Sequence, residues 1–168
     1  IGSYRDDFWE YDPGNNAWTK KADFGGGIRG NAVGFSIGSK GYIGTGTLAG
    51  SSTAKKDFWE YDPVNDAWLQ KADFGGGVRG NAAGFGIGSK GFLGTGHDGS
   101  LPRKDFWEYD PANDAWTKRS DFGGTARFDA AAFVIGNRGF IGTGYDGSSQ
   151  NDLWEYDPIG DAWTQKAD

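Results

Sequence analysis

The sequence predicts an all-β fold, a β-propeller built of four-stranded antiparallel blades. Three observations carry this: a long repeat that returns four times, a composition dominated by glycine and aromatics, and apolar alternation with a period of two. Of 168 residues 31 are Gly, accompanied by 8 Trp, 12 Phe and 7 Tyr. Glycine supplies turns and aromatic rings pack on pleated sheets, a pairing that suits many short strands and works against helices.

The repeat comes first, because missing it would misplace everything else. Asp7-Phe-Trp-Glu-Tyr-Asp-Pro13 returns at Asp57–Pro63 and Asp105–Pro111, and as Asp152-Leu-Trp-Glu-Tyr-Asp-Pro158. An Ala-Trp pair follows each copy, at Trp18, Trp68, Trp116 and Trp163. A second block, Gly34–Gly46, returns at Gly84–Gly96 and, varied, at Ala132–Gly144. The steps between Trp9, Trp59, Trp107 and Trp154 are 50, 48 and 47 residues.

Each repeat reads as strands a to d. Strand a is Asn31–Ile37, where Val33, Phe35 and Ile37 alternate with Ala32, Gly34 and Ser36. The turn Gly38–Gly41 leads into strand b, Tyr42–Thr45. Strand c is Phe58–Tyr61, with Trp59 and Tyr61 on one face and Phe58 and Glu60 on the other. Asp62–Asp66 turns the chain into strand d, Trp68–Lys71. Alternation bounded by turn residues is the mark of strands. The whole chain reads as one segment: half a blade over 1–23, then blades over 24–73, 74–121 and 122–168.

A radial stack explains the composition better than a sandwich. In a stack both faces of a sheet are covered by neighbours, so an aromatic face of one unit packs on the glycine-rich face of the next. No unit buries its faces alone, and stability comes from neighbours.

The Tyr-Asp-Pro-x-x-x-x-Trp element, the Arg ahead of strand a and the glycine-rich end of strand b resemble Kelch repeats of the bacterial type, over essentially the whole chain. The family's Gly-Gly doublet after strand b is Gly-Thr-Gly here, which places the chain in a divergent subgroup. The resemblance implies a propeller, usually of six or seven blades, that mostly serves protein or ligand binding. Some bacterial members resemble sugar mutarotases with Arg and Glu in the channel. Others house copper-radical oxidases, which need Cys and several His; this chain has no Cys and one His.

Four c–d pairs meet only three a–b pairs, since Ile1-Gly2 reads as the tail of a further strand b. About three and a half blades leave sheet edges open. The expectation divides between part of a larger ring, closure by a homo-oligomer such as a dimer, and an unusual small ring.

Function is expected on the face carrying the b–c and d–a loops. The b–c loop takes 10 residues at Thr47–Lys56, 8 at His97–Lys104 and 7 at Tyr145–Asn151, which accounts for the whole change in period. Variable loops on a rigid scaffold are where binding is built, although loops at solvent also drift in length. Arg29, Arg79 and Arg127 stand one per unit at the start of strand a. They read either as a guanidinium crown around a channel, suited to carboxylates or phosphates, or as structural ties to carbonyls or a carboxylate of the blade. Residues that break the repeat complete the candidate set: His97 and Tyr145 against Thr47, Phe128-Asp129 against Gly-Asn at 30–31 and 80–81, and Arg103 in the second loop. A lone loop histidine is ordinarily just solvated.

Other chemistry fails on its own terms. Gly25–Gly30 and Gly75–Gly80 match a dinucleotide-binding pattern literally, but a strand follows where a helix is required. No residue set suggests a metal site, a cofactor or a catalytic pair; the repeated Glu10, Glu60, Glu108 and Glu155 suggest structural pairing. A net charge of −6 disfavours nucleic acid, and no apolar run is long enough for a membrane span. The reading is a noncatalytic binding or scaffold module with a protein or glycan partner, in an extracellular or cell-surface bacterial setting. A lectin-like domain, with Tyr145 and Phe128 stacking on sugars, and a mutarotase-like enzyme are the alternatives.

Overall fold

The computed structural model describes residues 5–48, 51 and 53–166. Ile1-Gly2, read above as a strand tail, therefore lies outside the described residues. Sixteen strands and no helix make up the described chain. In order they are β1 (Phe8–Asp12), β2 (Ala17–Lys21), β3 (Arg29–Gly30), β4 (Val33–Ile37), β5 (Lys40–Gly44), β6 (Thr47–Leu48), β7 (Phe58–Asp62) and β8 (Ala67–Lys71). They continue as β9 (Ala83–Ile87), β10 (Lys90–Gly94), β11 (Phe106–Asp110), β12 (Ala115–Arg119), β13 (Ala131–Ile135), β14 (Arg138–Gly142), β15 (Leu153–Asp157) and β16 (Ala162–Gln165).

Three antiparallel four-stranded sheets follow chain order: β4-β5-β7-β8, β9-β10-β11-β12 and β13-β14-β15-β16. We call them units 1 to 3. The pair β1-β2 forms a half unit ahead of them. Strand a begins two residues later than the alternation suggested, because Asn31 takes a left-handed φ of 55°. Its carbonyl instead accepts the Asn81 N–H of the next unit at 3.0 Å, and Asn81 in turn accepts the Asp129 N–H at 3.2 Å. Asparagine and aspartate tolerate that backbone region best after glycine.

Register explains how units stack. In unit 1 Phe35, Tyr42, Glu60 and Leu69 are paired in one row, so their side chains share a face. That face meets the opposite face of unit 2. The fully buried Phe58 ring lies 4.9 Å from Tyr109 and 5.0 Å from Trp116. Phe106 repeats this against Tyr156 and Trp163, and Phe8 against Tyr61 and Trp68. Each such ring is worth about 1.5–3 kcal/mol on burial. Phe35 and Phe85 lie where a Cβ on Gly91 or Gly139 would stand, 2.6 and 2.1 Å from it, so only glycine lets the sheets close up.

Polar staples set the same spacing. The N–H groups of Ala22, Ala72 and Ser120 donate across the junction to Asp66, Asp114 and Asp161. The Trp68, Trp116 and Trp163 indoles donate back to the carbonyls of those three residues. The expected pairing of the strand c glutamates appears too: Glu10 with Lys21, Glu108 with Arg119, Glu155 with Lys166, and Glu60 accepting the Tyr42 hydroxyl.

Candidate functional site

Two layers meet on the loop face, one repeated and one not. The repeated layer is the arginine set. Arg79 makes a bidentate pair with Asp105, at 2.8 and 3.0 Å, and donates to the carbonyls of Thr95 and Gly76. Its guanidinium carbon stands 5.2 Å from the Phe74 ring centroid. Arg29 does the same with Asp57, Thr45 and Phe24, and Arg127 with Asp152, Thr143 and Phe122. Each carboxylate also accepts an indole N–H, from Trp59, Trp107 or Trp154.

This corrects the guanidinium crown. Arg79 and Arg127 are 1% exposed and Arg29 8%, and their donors are spent on their own unit, so none is presented to a channel. Of the two readings offered for these residues, the structural tie is the one built. Burial alone would raise Asp57, but hydrogen bonds from Arg29 and Trp59 outweigh it and hold the carboxyl below its usual range. Arg127 holds Asp152 down against the same burial.

The Thr of each Gly-Thr-Gly belongs to this layer. Thr45, Thr95 and Thr143 take φ of 58, 55 and 60°, a region that costs a β-branched residue about 1–3 kcal/mol. The conformation is held from both sides. The Thr95 N–H donates to the Asp105 carbonyl while its own carbonyl accepts from Arg79.

The second layer gathers residues that break the repeat. Short ladders tie the d–a loop to the b–c loop in every unit: Gly30 to Thr47, Gly80 to His97, and Phe128 to Tyr145. These ladders had no signal in the alternation, since each strand or bridge is one or two residues long. They fix the side chains in a row. A Cβ on Gly80 would stand 2.9 Å from the Thr47 methyl, whereas Phe128, at the equivalent place in unit 3, lies 5.7 Å from the His97 ring, edge to face. Tyr145 is 43% exposed and 5.6 Å beyond Phe128. Thr47, Ala54, Gly80, Asn81, His97, Gly99 and Phe128 line a concavity of about 270 Å³ beside this row.

Hydrogen bonding sets what the shelf offers. The Gly99 N–H donates to His97 Nδ1 at 3.0 Å, leaving Nε2 as the donor of the neutral ring. Asp129 sits at φ 56° and accepts from the Asn81 side-chain amide. Asn81 was missed as a shelf residue because it obeys the repeat. The Gly80-Asn81 pair signals only a turn residue suited to the left-handed φ of 56° seen here, not its reach to Asp129.

Arg103 does not join the shelf. It folds back onto Asp98, which is held below the usual carboxylate range by the Leu101 and Ser100 N–H groups and by Arg103. Both line a larger cleft of about 530 Å³ with Arg79, Lys104, Asp105, Lys118 and Asp121. Arg79 pairs there with Asp105, Arg103 with Asp98 and Lys118 with Asp121 at 3.2 Å, and similar clefts of about 460 and 490 Å³ recur in units 1 and 3. Recurrence ties these clefts to the scaffold. Among the described residues no group of three or more His, Asp or Glu is placed to hold a metal, and no helix is long and apolar enough to cross a membrane.

Among solved structures, the chain is similar to the structure of YjhT, with a TM-score of 0.81 at 14% identity. The match covers 99% of this chain and 66% of that one. At this identity the likeness shows a shared fold alone. No family model matches the chain, and no curated protein does.

Proposed function

We propose that the chain is a Kelch-like β-propeller segment acting as a noncatalytic binding module, with the shelf of His97, Phe128, Tyr145 and Asp129 as its contact surface for a protein partner. The observation that carries this is convergence. Four residues that each break the repeat come from two units and two kinds of loop, and they lie side by side on one face. Half-exposed aromatic rings supply large contact area at little entropic cost, and the neighbouring amide, carboxylate and imidazole orient a ligand. The imidazole Nδ1 and the carboxylate are both engaged by neighbours, which suits recognition better than proton transfer.

The test compares the chain with a triple variant, His97→Ala, Phe128→Ala and Tyr145→Ala, on protein and glycan arrays. Protein ligands retained by the chain and lost by the variant are the expected result. Ligands that bind both equally would remove the shelf as the site; ligands confined to glycans would replace the protein partner with a sugar.

A further inference from the structure

Unit 3 departs from units 1 and 2 at two adjacent positions, and both departures change the chemistry of the shelf. Where units 1 and 2 carry Gly30-Asn31 and Gly80-Asn81, unit 3 carries Phe128-Asp129. Across the short ladder from Phe128, Tyr145 stands where the other units have Thr47 and His97. Unit 3 therefore brings a phenyl ring, a phenol and a carboxylate to places where its neighbours have none of them.

That carboxylate stands apart from the others nearby. Asp57, Asp105 and Asp152 are each clamped by an arginine, and Asp98 by Arg103. Asp146 accepts hydrogen bonds from the Thr125, Ser148 and Gln150 side chains. Asp129 is exposed, and among the described residues its carboxylate accepts only the Asn81 side-chain amide, on one oxygen. Asn81 also lines the concavity of about 270 Å³, which has no Asp, Glu, Lys or Arg in its wall. Apolar wall, ring and carboxylate are thus contiguous.

We propose that the protein partner docks an exposed arginine side chain on this shelf, an inference that rests on the shelf being the contact surface. The methylene stem lies along the apolar wall formed by Thr47, Ala54 and Gly80, as long cationic side chains do. The guanidinium stacks on the aromatic rings and pairs with Asp129. An acidic partner would meet both Asp129 and a net charge of −6. A purely apolar side chain would shield the carboxylate from water and give it no counter-charge, which is costly. Arginine suits the site better than lysine, because its planar fork is weakly hydrated, stacks on rings and matches a carboxylate.

The test titrates acetyl-Gly-Gly-X-Gly-Gly-amide peptides, with X as Arg, Lys, citrulline or Leu, into the isotope-labelled chain and follows its amide NMR signals. The Arg peptide is expected to shift the signals of Gly80, His97 and Phe128 with a Kd of about 1 mM. Lysine should bind about threefold more weakly, and uncharged citrulline about tenfold. Asp129→Asn is the decisive variant. Asparagine already holds this left-handed position in units 1 and 2 and keeps an acceptor for Asn81, so only the charge is lost, and the Arg peptide should weaken about tenfold. Phe128→Ala should cost about fivefold. Arg binding weaker than about 10 mM overturns the proposal, as does binding that Asp129→Asn leaves intact, or a Leu peptide that binds as tightly as Arg. A protein ligand from the array that is lost by the triple variant but kept by Asp129→Asn overturns the arginine and leaves the shelf standing. Arg-peptide binding that the triple variant retains overturns both.

Discussion

Arg79 and His97 belong to the same unit, and the Gly80–His97 bridge sets their loops side by side, yet they obey opposite rules. Arg79 is identical in kind to Arg29 and Arg127, buried, and spends its donors on Asp105, Thr95 and Gly76. His97 stands where the other units carry Thr47 and Tyr145, is partly exposed, and its ring takes a hydrogen bond only from the Gly99 N–H of its own loop. A repeated residue answers a demand that every unit makes, namely tying a loop to the strand beside it. A residue unique to one unit is free of that demand. The difference assigns stability to the arginine layer and recognition to the shelf above it.

The sharpest way to break this division is Arg79→Ala. It strands the partly buried Asp105 carboxylate and leaves two carbonyls without their donor, a loss of about 3–5 kcal/mol in urea unfolding. Arg79→Lys keeps the charge but not the fork and is expected to fall between the two. A loss below about 1 kcal/mol for Arg79→Ala would show that the layer is not structural.

Acid comes next in size. Asp57 and Asp152 are held below their usual range in the folded chain. Their contribution is therefore complete above the ordinary carboxylate pKa of about 4 and disappears as pH falls below it through the folded values. Unfolding followed by near-UV circular dichroism should begin in that window, and Arg29→Ala or Arg127→Ala should flatten the pH dependence.

The smallest effect belongs to the shelf. His97→Ala and Tyr145→Ala are expected to change unfolding free energy by no more than about 0.5 kcal/mol, while the ligand binding proposed above is lost. Destabilisation comparable to Arg79→Ala would make the shelf part of the scaffold and erase the contrast.

Most of the architecture was legible because it is written redundantly. Trp, Tyr-Asp-Pro and Gly-Thr-Gly return at near-constant steps, so strand order, turns and the direction of stacking could be read from any copy and checked against the others. The site was legible only as a set of exceptions. His97, Phe128, Asp129 and Tyr145 stood out against the repeat, but nothing in their spacing placed the imidazole beside the phenyl ring. The arginines carried no sign of which way they point. A guanidinium at the mouth of strand a serves a channel or a carboxylate equally well until its reach to Asp57, Asp105 or Asp152 is known, 28, 26 and 25 residues away.

By itself, then, the chain's order of residues determined an all-β repeat of four strands, the glycine face that receives each aromatic face, and the loops where variation collects. Those depend on local alternation and turn chemistry, which act over a few residues. Tertiary structure alone decided that the arginines turn inward, that Arg103 closes on Asp98 and that Asn81 joins the shelf. Each of these rests on groups brought together by packing between strands or between units, and burial gives such contacts their strength only once neighbouring sheets exclude water.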